Sequence, residues 1–170
     1  MKRFLVFMLL LLTAQGRVVA DPVPEYVMKA TYLYNFALYT EWPVEVGNEI
    51  QLCIFGEDRF GEALHAIDGK DVNGRRLVVR HAHASEEIAR CQMLYLAENE
   101  LQGARHMLTG LRGSPVLTIT EGAIPLYSGV MISLLVEDKR LAFKVNASAA
   151  RKARLNISSK LLRLASSVYQ

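Results

Sequence analysis

The chain has 170 residues, of which 51% are hydrophobic and 22% charged, and its formal net charge is +3. Apolar content this high argues against a disordered chain and suits one ordinary domain with a real core. The positive balance resides in Lys2, Arg3 and Arg17; without them 17 basic residues face 17 acidic ones, so the phosphate-neutralising excess of a general nucleic-acid binder is missing.

Residues 1–20 have the layout of a cleaved secretory signal. Lys2 and Arg3 give a positive start, residues 4–12 are unbroken apolar, and the segment ends on the small Ala20. Nine apolar residues are too few to cross a bilayer, which takes ~20. The mature chain is then expected to run from Asp21 to Gln170 as one domain. No later stretch is long and apolar enough to span a membrane.

Residues 25–41 read as a helix. Val27, Ala30, Tyr34 and Leu38 form one stripe, and Tyr32, Phe36 and Tyr39 another. Trp42-Pro43 ends it, because the residue before proline avoids helical geometry. Residues 50–55 read as a strand, 60–67 as a helix, 77–80 as a strand and 86–90 as a brief helix. Residues 93–96 form a third strand, 101–111 a helix closed by Gly113, and 116–120 a fourth strand. This alternation predicts a mostly parallel sheet with helices on its faces. Residues 129–137 and 141–146 read as two strands around Asp138-Lys139, a C-terminal antiparallel hairpin. A last helix, capped by Ser158 or Ser159, is expected to carry Leu161, Leu162, Leu164, Ala165 and Val168. The expected fold is a single three-layer α/β domain.

The residues that could carry chemistry do not assemble into a motif. His81 and His83 are two imidazoles on one face of an extended segment, but spacing places no third ligand, so no metal site is read there. Gly69-Lys70 is followed by Asp71 rather than Ser or Thr and is no phosphate loop. Tyr127-Ser128-Gly129 lacks the flanking glycine of a nucleophile elbow. Glu57-Asp58 and Glu86-Glu87 fall at helix starts, where carboxylates complement the helix dipole. No catalytic residue and no cofactor is assigned. Cys53 and Cys91 are an even, isolated pair: either a disulfide, contributing roughly 4 kcal/mol by closing a loop of about 39 residues, or two buried thiols.

Two features suit binding. Tyr26, Tyr32, Tyr34, Phe36, Tyr39 and Trp42 crowd one helix. They are read as core, as an interface, or as the lining of a pocket for a small planar ligand. Tyr32, Phe36, Tyr39 and Trp42 are the candidates among them. Charge is also uneven. Residues 139–170 hold 8 Lys+Arg and no acid, whereas residues 21–138 hold 9 Lys+Arg against 17 Asp+Glu. The basic third, with Arg151 and Arg154 as candidates, is read as a partner-facing surface or as a solvated helix face.

Three segments together resemble the YfiR family of periplasmic proteins. They are the run from Lys29 to Ala37 continuing to Glu41-Trp42-Pro43; Leu52-Cys53-Ile54-Phe55-Gly56; and the stretch from Val116 through Gly129-Val130-Met131-Ile132 and Phe143-Lys144-Val145-Asn146 to Ser159–Ala165. The resemblance covers nearly all of the mature chain. It implies a periplasmic α/β protein, frequently dimeric, that represses an inner-membrane diguanylate cyclase by binding the enzyme's periplasmic domain. An outer-membrane lipoprotein can sequester such a repressor; cyclic di-GMP then rises and biofilm forms. The resemblance also implies a Cys53–Cys91 disulfide. Where the family's best-known members carry a second cysteine pair, proposed for redox sensing, this chain has Leu126 and Ser133. A periplasmic small-molecule sensor with an aromatic-lined pocket is the alternative reading of the same residues.

Overall fold

The computed structural model describes residues 24–43, 47–100, 103–122 and 129–170. The expected signal segment 1–20, the start of the 101–111 helix, Leu126 and Tyr127-Ser128 lie outside the described residues.

Helix α1 (Glu25–Leu38) leads into the short strand β1 (Thr40–Glu41) and the strand β2 (Glu49–Phe55). Next come α2 (Glu62–His65), β3 (Asp71–Val72), β4 (Arg75–Ala82), α3 (Ser85–Ile88) and β5 (Met93–Leu96). A 3-10 turn over Glu98–Glu100 precedes α4 (Arg105–Gly110) and β6 (Leu117–Glu121). The last third holds β7 (Ile132–Glu137), β8 (Arg140–Asn146), α5 (Ala147–Lys152), β9 (Asn156–Ile157), α6 (Ser159–Leu164) and β10 (Ser167–Tyr169).

Eight strands form one sheet in the order β10-β8-β7-β6-β5-β2-β4-β3. Strands β4, β2, β5, β6 and β7 run parallel; β8 returns antiparallel to β7, and β3 antiparallel to β4. The chain starts at β2, adds β4 on one side and β5 on the other, so the order reverses between β2 and β5. Interior strands are apolar on both faces, as a covered parallel sheet requires: all four residues of β5 are buried. The hairpin turn at Asp138 and Lys139 has φ of 48° and 62°, the double positive φ that matches the twist of a two-residue hairpin.

Each face has its own core. On one, Leu52, Met93, Leu117, Ile132 and Phe143 lie under Leu33, Phe36 and Ala37 of α1, with α2, α5 and α6 around them. On the other, Cys53, Leu94 and Leu96 lie under α3 and α4 through Ile88, Leu108 and Leu111. Past β5 this second face turns polar, with Thr118, Thr120 and Ser133 buried. Each is satisfied by a backbone carbonyl, of Gly129, Leu96 and Gly122 respectively. The Cys53–Cys91 disulfide joins β2 to a position two residues before β5, with Cα atoms 6.0 Å apart.

Three local expectations need correction. Helix α1 stops at Leu38, not residue 41, because Thr40 and Glu41 pair antiparallel with Ile157 and Asn156. Its buried stripe is Lys29, Ala30, Leu33, Phe36 and Ala37, lying between the two stripes drawn from the aromatic residues. Ala30 and Ala37 let the helix approach the sheet, while Tyr32 and Tyr34 sit at the margins and donate their hydroxyls to the carbonyls of Leu141 and Asp71. Finally, the last helix ends at Leu164. Val168 belongs to β10, which pairs parallel with β8, and the Ser166 amide donates to the Phe143 carbonyl at 2.9 Å. An edge position beside β8 overrides the helical spacing of that segment.

Candidate partner-binding surface

The antiparallel ribbon of β1 and β9 ties the end of α1 to the start of α6. The Ser158 amide donates to the Tyr39 carbonyl at 2.9 Å, and the Asn156 amide group donates to the Glu41 carboxylate at 2.7 Å. Ser158 then caps α6, its hydroxyl accepting from the Leu161 amide at 3.2 Å. Two helices held this way leave a groove of about 470 Å³ between them. Phe143 and Leu161 form its floor, Tyr32 and Tyr39 its α1 wall, and Met28 and Leu164 its rim. Met28 is 37% and Leu164 66% exposed. The floor is rigid: Tyr32, Phe36 and Phe143 form a cluster with ring centroids 5.1–5.8 Å apart. At one end the Lys160 ammonium sits 4.9 Å from the Tyr39 ring centre.

Helix α1 is pinned from behind by a buried charge. Lys29 is 4% exposed and reaches Glu25 at 2.5 Å and Glu121, at the end of β6, at 2.6 Å. The other Glu121 oxygen accepts from the Tyr95 hydroxyl. Burial pushes the Lys29 pKa down, but the hydrogen bonds to Glu121 and Glu25 outweigh it and the net shift is upward. Tyr26, whose ring lies 4.3 Å from the Lys29 ammonium, is also raised, by burial and then by the Glu121 charge. Phe60 wedges between Tyr26 and Tyr95, with centroid distances of 5.2 and 4.9 Å. This cluster occupies the carboxyl ends of β5 and β6, beside the point of strand-order reversal, where open α/β sheets commonly take ligands. Here the chain's own side chains fill much of that crevice. Gly122, with φ of +87°, lets its backbone approach the Glu98 carboxylate; a Cβ there would meet Glu98 Oε1 at 3.1 Å.

The structure brings Tyr32 and Tyr39 together on the groove and places Phe36 and Trp42 inside. Phe36 is fully buried, and Trp42 donates its indole N–H to the Gln92 carbonyl at 3.1 Å. Arg151 and Arg154 are exposed and do not line the groove, Arg151 donating to the Gln170 side chain at 3.1 Å. Cys53 and Cys91 are joined. Sequence reasoning missed Met28 and the Lys29–Glu121 pair. A lone lysine among apolar residues four positions after Glu25 was the available signal for the pair; nothing local pointed to Glu121, 92 residues away.

The described residues contain no group of three or more His, Cys, Asp and Glu that could hold a metal ion. His81 pairs with Asp58 at 2.8 Å, and Asp58 also accepts from the amides of Phe60 and Gly61. Burial raises the Asp58 carboxyl, yet the His81 and backbone hydrogen bonds leave it lowered overall. The pair is accounted for as the clasp that holds the Phe60 loop. No helix among the described residues is long and apolar enough to cross a membrane.

The family model described as YfiR/HmsC-like matches residues 26–166. The chain belongs to the YfiR/HmsC-like family. The match runs from α1 through α6 and so includes both walls of the groove. The family is one of periplasmic regulators of diguanylate cyclases and is regulatory rather than catalytic. Among solved structures, the chain is similar to a conserved domain protein from Vibrio cholerae O1 biovar El Tor, with 14% identity and a TM-score of 0.53. That alignment covers 86% of this chain and 60% of the other, so this chain spans well under two thirds of its relative. Likeness at that identity concerns the fold alone. A second similarity, at 9% identity and a TM-score of 0.48, is to an ABC domain from Streptococcus pneumoniae crystallised with L-Trp, covering 70% of this chain and 55% of that one.

Proposed function

We propose that the chain is exported with loss of residues 1–20, and that the mature protein represses an inner-membrane diguanylate cyclase. It would do so by seating part of the cyclase's periplasmic domain in the groove between α1 and α6. Repression lowers cyclic di-GMP and with it biofilm formation. An outer-membrane lipoprotein that competes for the repressor relieves it, and pairing with a second copy sets how much repressor is free.

The observation that carries this reading is the exposed apolar rim, Met28 and Leu164, around an aromatic floor in a chain of a cyclase-regulating family. Aromatic side chains such as Tyr32 and Tyr39, ringed by contacts that exclude water, are the usual makings of an interface hot spot, and Met28 and Leu164 supply that ring. The test is binding of the mature protein to the purified periplasmic domain of the cyclase, with and without the exchange M28D/L164D. Two lost anchors at ~2 kcal/mol or more each predict at least a hundredfold weaker binding. Binding that survives both substitutions rejects the groove; failure of the unaltered protein to bind at micromolar concentration rejects the regulator reading.

The groove's volume, about 470 Å³, is also of small-ligand size, which favours a second reading as a sensor of planar molecules. A thermal-shift screen with aromatic metabolites separates the two, because a ligand bound only by the folded state raises the melting temperature.

A further inference from the structure

At the amino ends of β6 and β7 a second pocket, of about 480 Å³, opens between α4, α5 and β10. Its apolar side is made by Leu108, Leu111, Met131 and Tyr169. Its polar side carries two cations, Arg112 at the end of α4 and Lys152 at the end of α5, and no carboxylate side chain lines it. Neither cation forms an ion pair with a described residue. A third, Arg151, stands at the rim, bound to Gln170, which itself lines the pocket. Ser148 is also part of the lining. The pocket thus has an apolar wall facing two cations without an ion pair among the described residues, the reverse of the α1–α6 groove, which carries no charged residue in its lining.

We propose that this pocket binds an amphipathic anion: a carboxylate or phosphate held by Arg112 and Lys152, with an apolar body against Leu108, Leu111 and Tyr169. Two cations brought to one mouth repel each other, and an anion between them removes that repulsion while its apolar part loses water contact. The volume falls within the range of small-molecule sites. It is too small for a folded partner. The same chemistry is offered by a free aromatic or aliphatic acid and by the headgroup of an anionic lipid.

The test uses the mature protein with phenyl phosphate, benzyl alcohol and inorganic phosphate as probes in calorimetry and thermal shift. Phenyl phosphate is expected to bind at least tenfold more tightly than either of the others and to raise the melting temperature. The R112Q/K152Q exchange is expected to weaken it tenfold or more. The R76Q/R140Q exchange removes the same charge elsewhere and is expected to leave binding unchanged. Arg140 lies six residues from Asn146 along β8, about 20 Å at strand rise, and Arg76 lies three strands from β6, about 14 Å. Equal loss in both variants, equal binding of benzyl alcohol, or no binding of phenyl phosphate overturns the proposal. Co-sedimentation with phosphatidylglycerol and phosphatidylcholine vesicles then separates the sources. Capture by phosphatidylglycerol alone, abolished in R112Q/K152Q and displaced by phenyl phosphate, assigns a lipid headgroup. Binding of phenyl phosphate without vesicle capture assigns a free anion. Vesicle capture indifferent to R112Q/K152Q is a flat charge effect and counts against the pocket.

Discussion

Lys29 illustrates how one residue sets the geometry of a surface it does not reach. Its ammonium is buried behind α1 between Glu25 and Glu121, and removing it leaves the Glu121 carboxylate beside Tyr95 without its cation. Breaking a buried pair from one side costs about 3 kcal/mol or more. We therefore expect K29A to lose about that much stability in urea unfolding, and K29M/E121Q, which removes both charges, to lose clearly less. The pH dependence follows from the raised lysine: its contribution is fully present below the ordinary lysine range and is lost as pH rises through the higher folded value. The alkaline fall in stability should therefore be shallower in K29M/E121Q than in the unaltered protein.

Among the elements, β2 and β5 are tied twice, by their parallel ladder and by Cys53–Cys91, 38 residues apart in sequence. The chain-entropy estimate for such a loop is roughly 4 kcal/mol. At about 2–4 °C per kcal/mol for a domain of this size, C53A/C91A should melt about 10 °C lower. The elements also show what a sequence makes legible. Strand β5 is found where 93–96 was read, because an apolar run this short, closed off by Gln92 and Glu98, is of strand rather than helix length. The hairpin was legible from Asp138-Lys139. The terminal segment was not, since Leu161, Leu164 and Val168 keep helical spacing although the last of them pairs with Val145 of β8. Strands β1 and β9 were invisible because two-residue strands have no periodicity to read. The aromatic helix left core, interface and pocket open, and only packing decided that Tyr32 and Tyr39 line the groove while Phe36 and Trp42 are buried.

Over the whole molecule, stability should be graded from the sheet's centre outward. Strands β2 and β5 are enclosed between two cores and β6 is buried beside them, whereas the ribbon of β1 and β9 is held by a single ladder and two flanking hydrogen bonds. Native-state hydrogen exchange should find the slowest amides at Leu94, Tyr95 and Thr118 and much faster ones in the ribbon and α6. Uniform protection across both would contradict this grading.

That ribbon has a consequence for biosynthesis. It joins Glu41 to Asn156, positions 115 residues apart, so the two walls of the groove emerge far apart in time during synthesis. A nascent chain cannot close the groove until α6 has been delivered. A product terminated before α6 therefore carries the aromatic helix without its facing wall. Under the proposed function, such a product does not inhibit the cyclase.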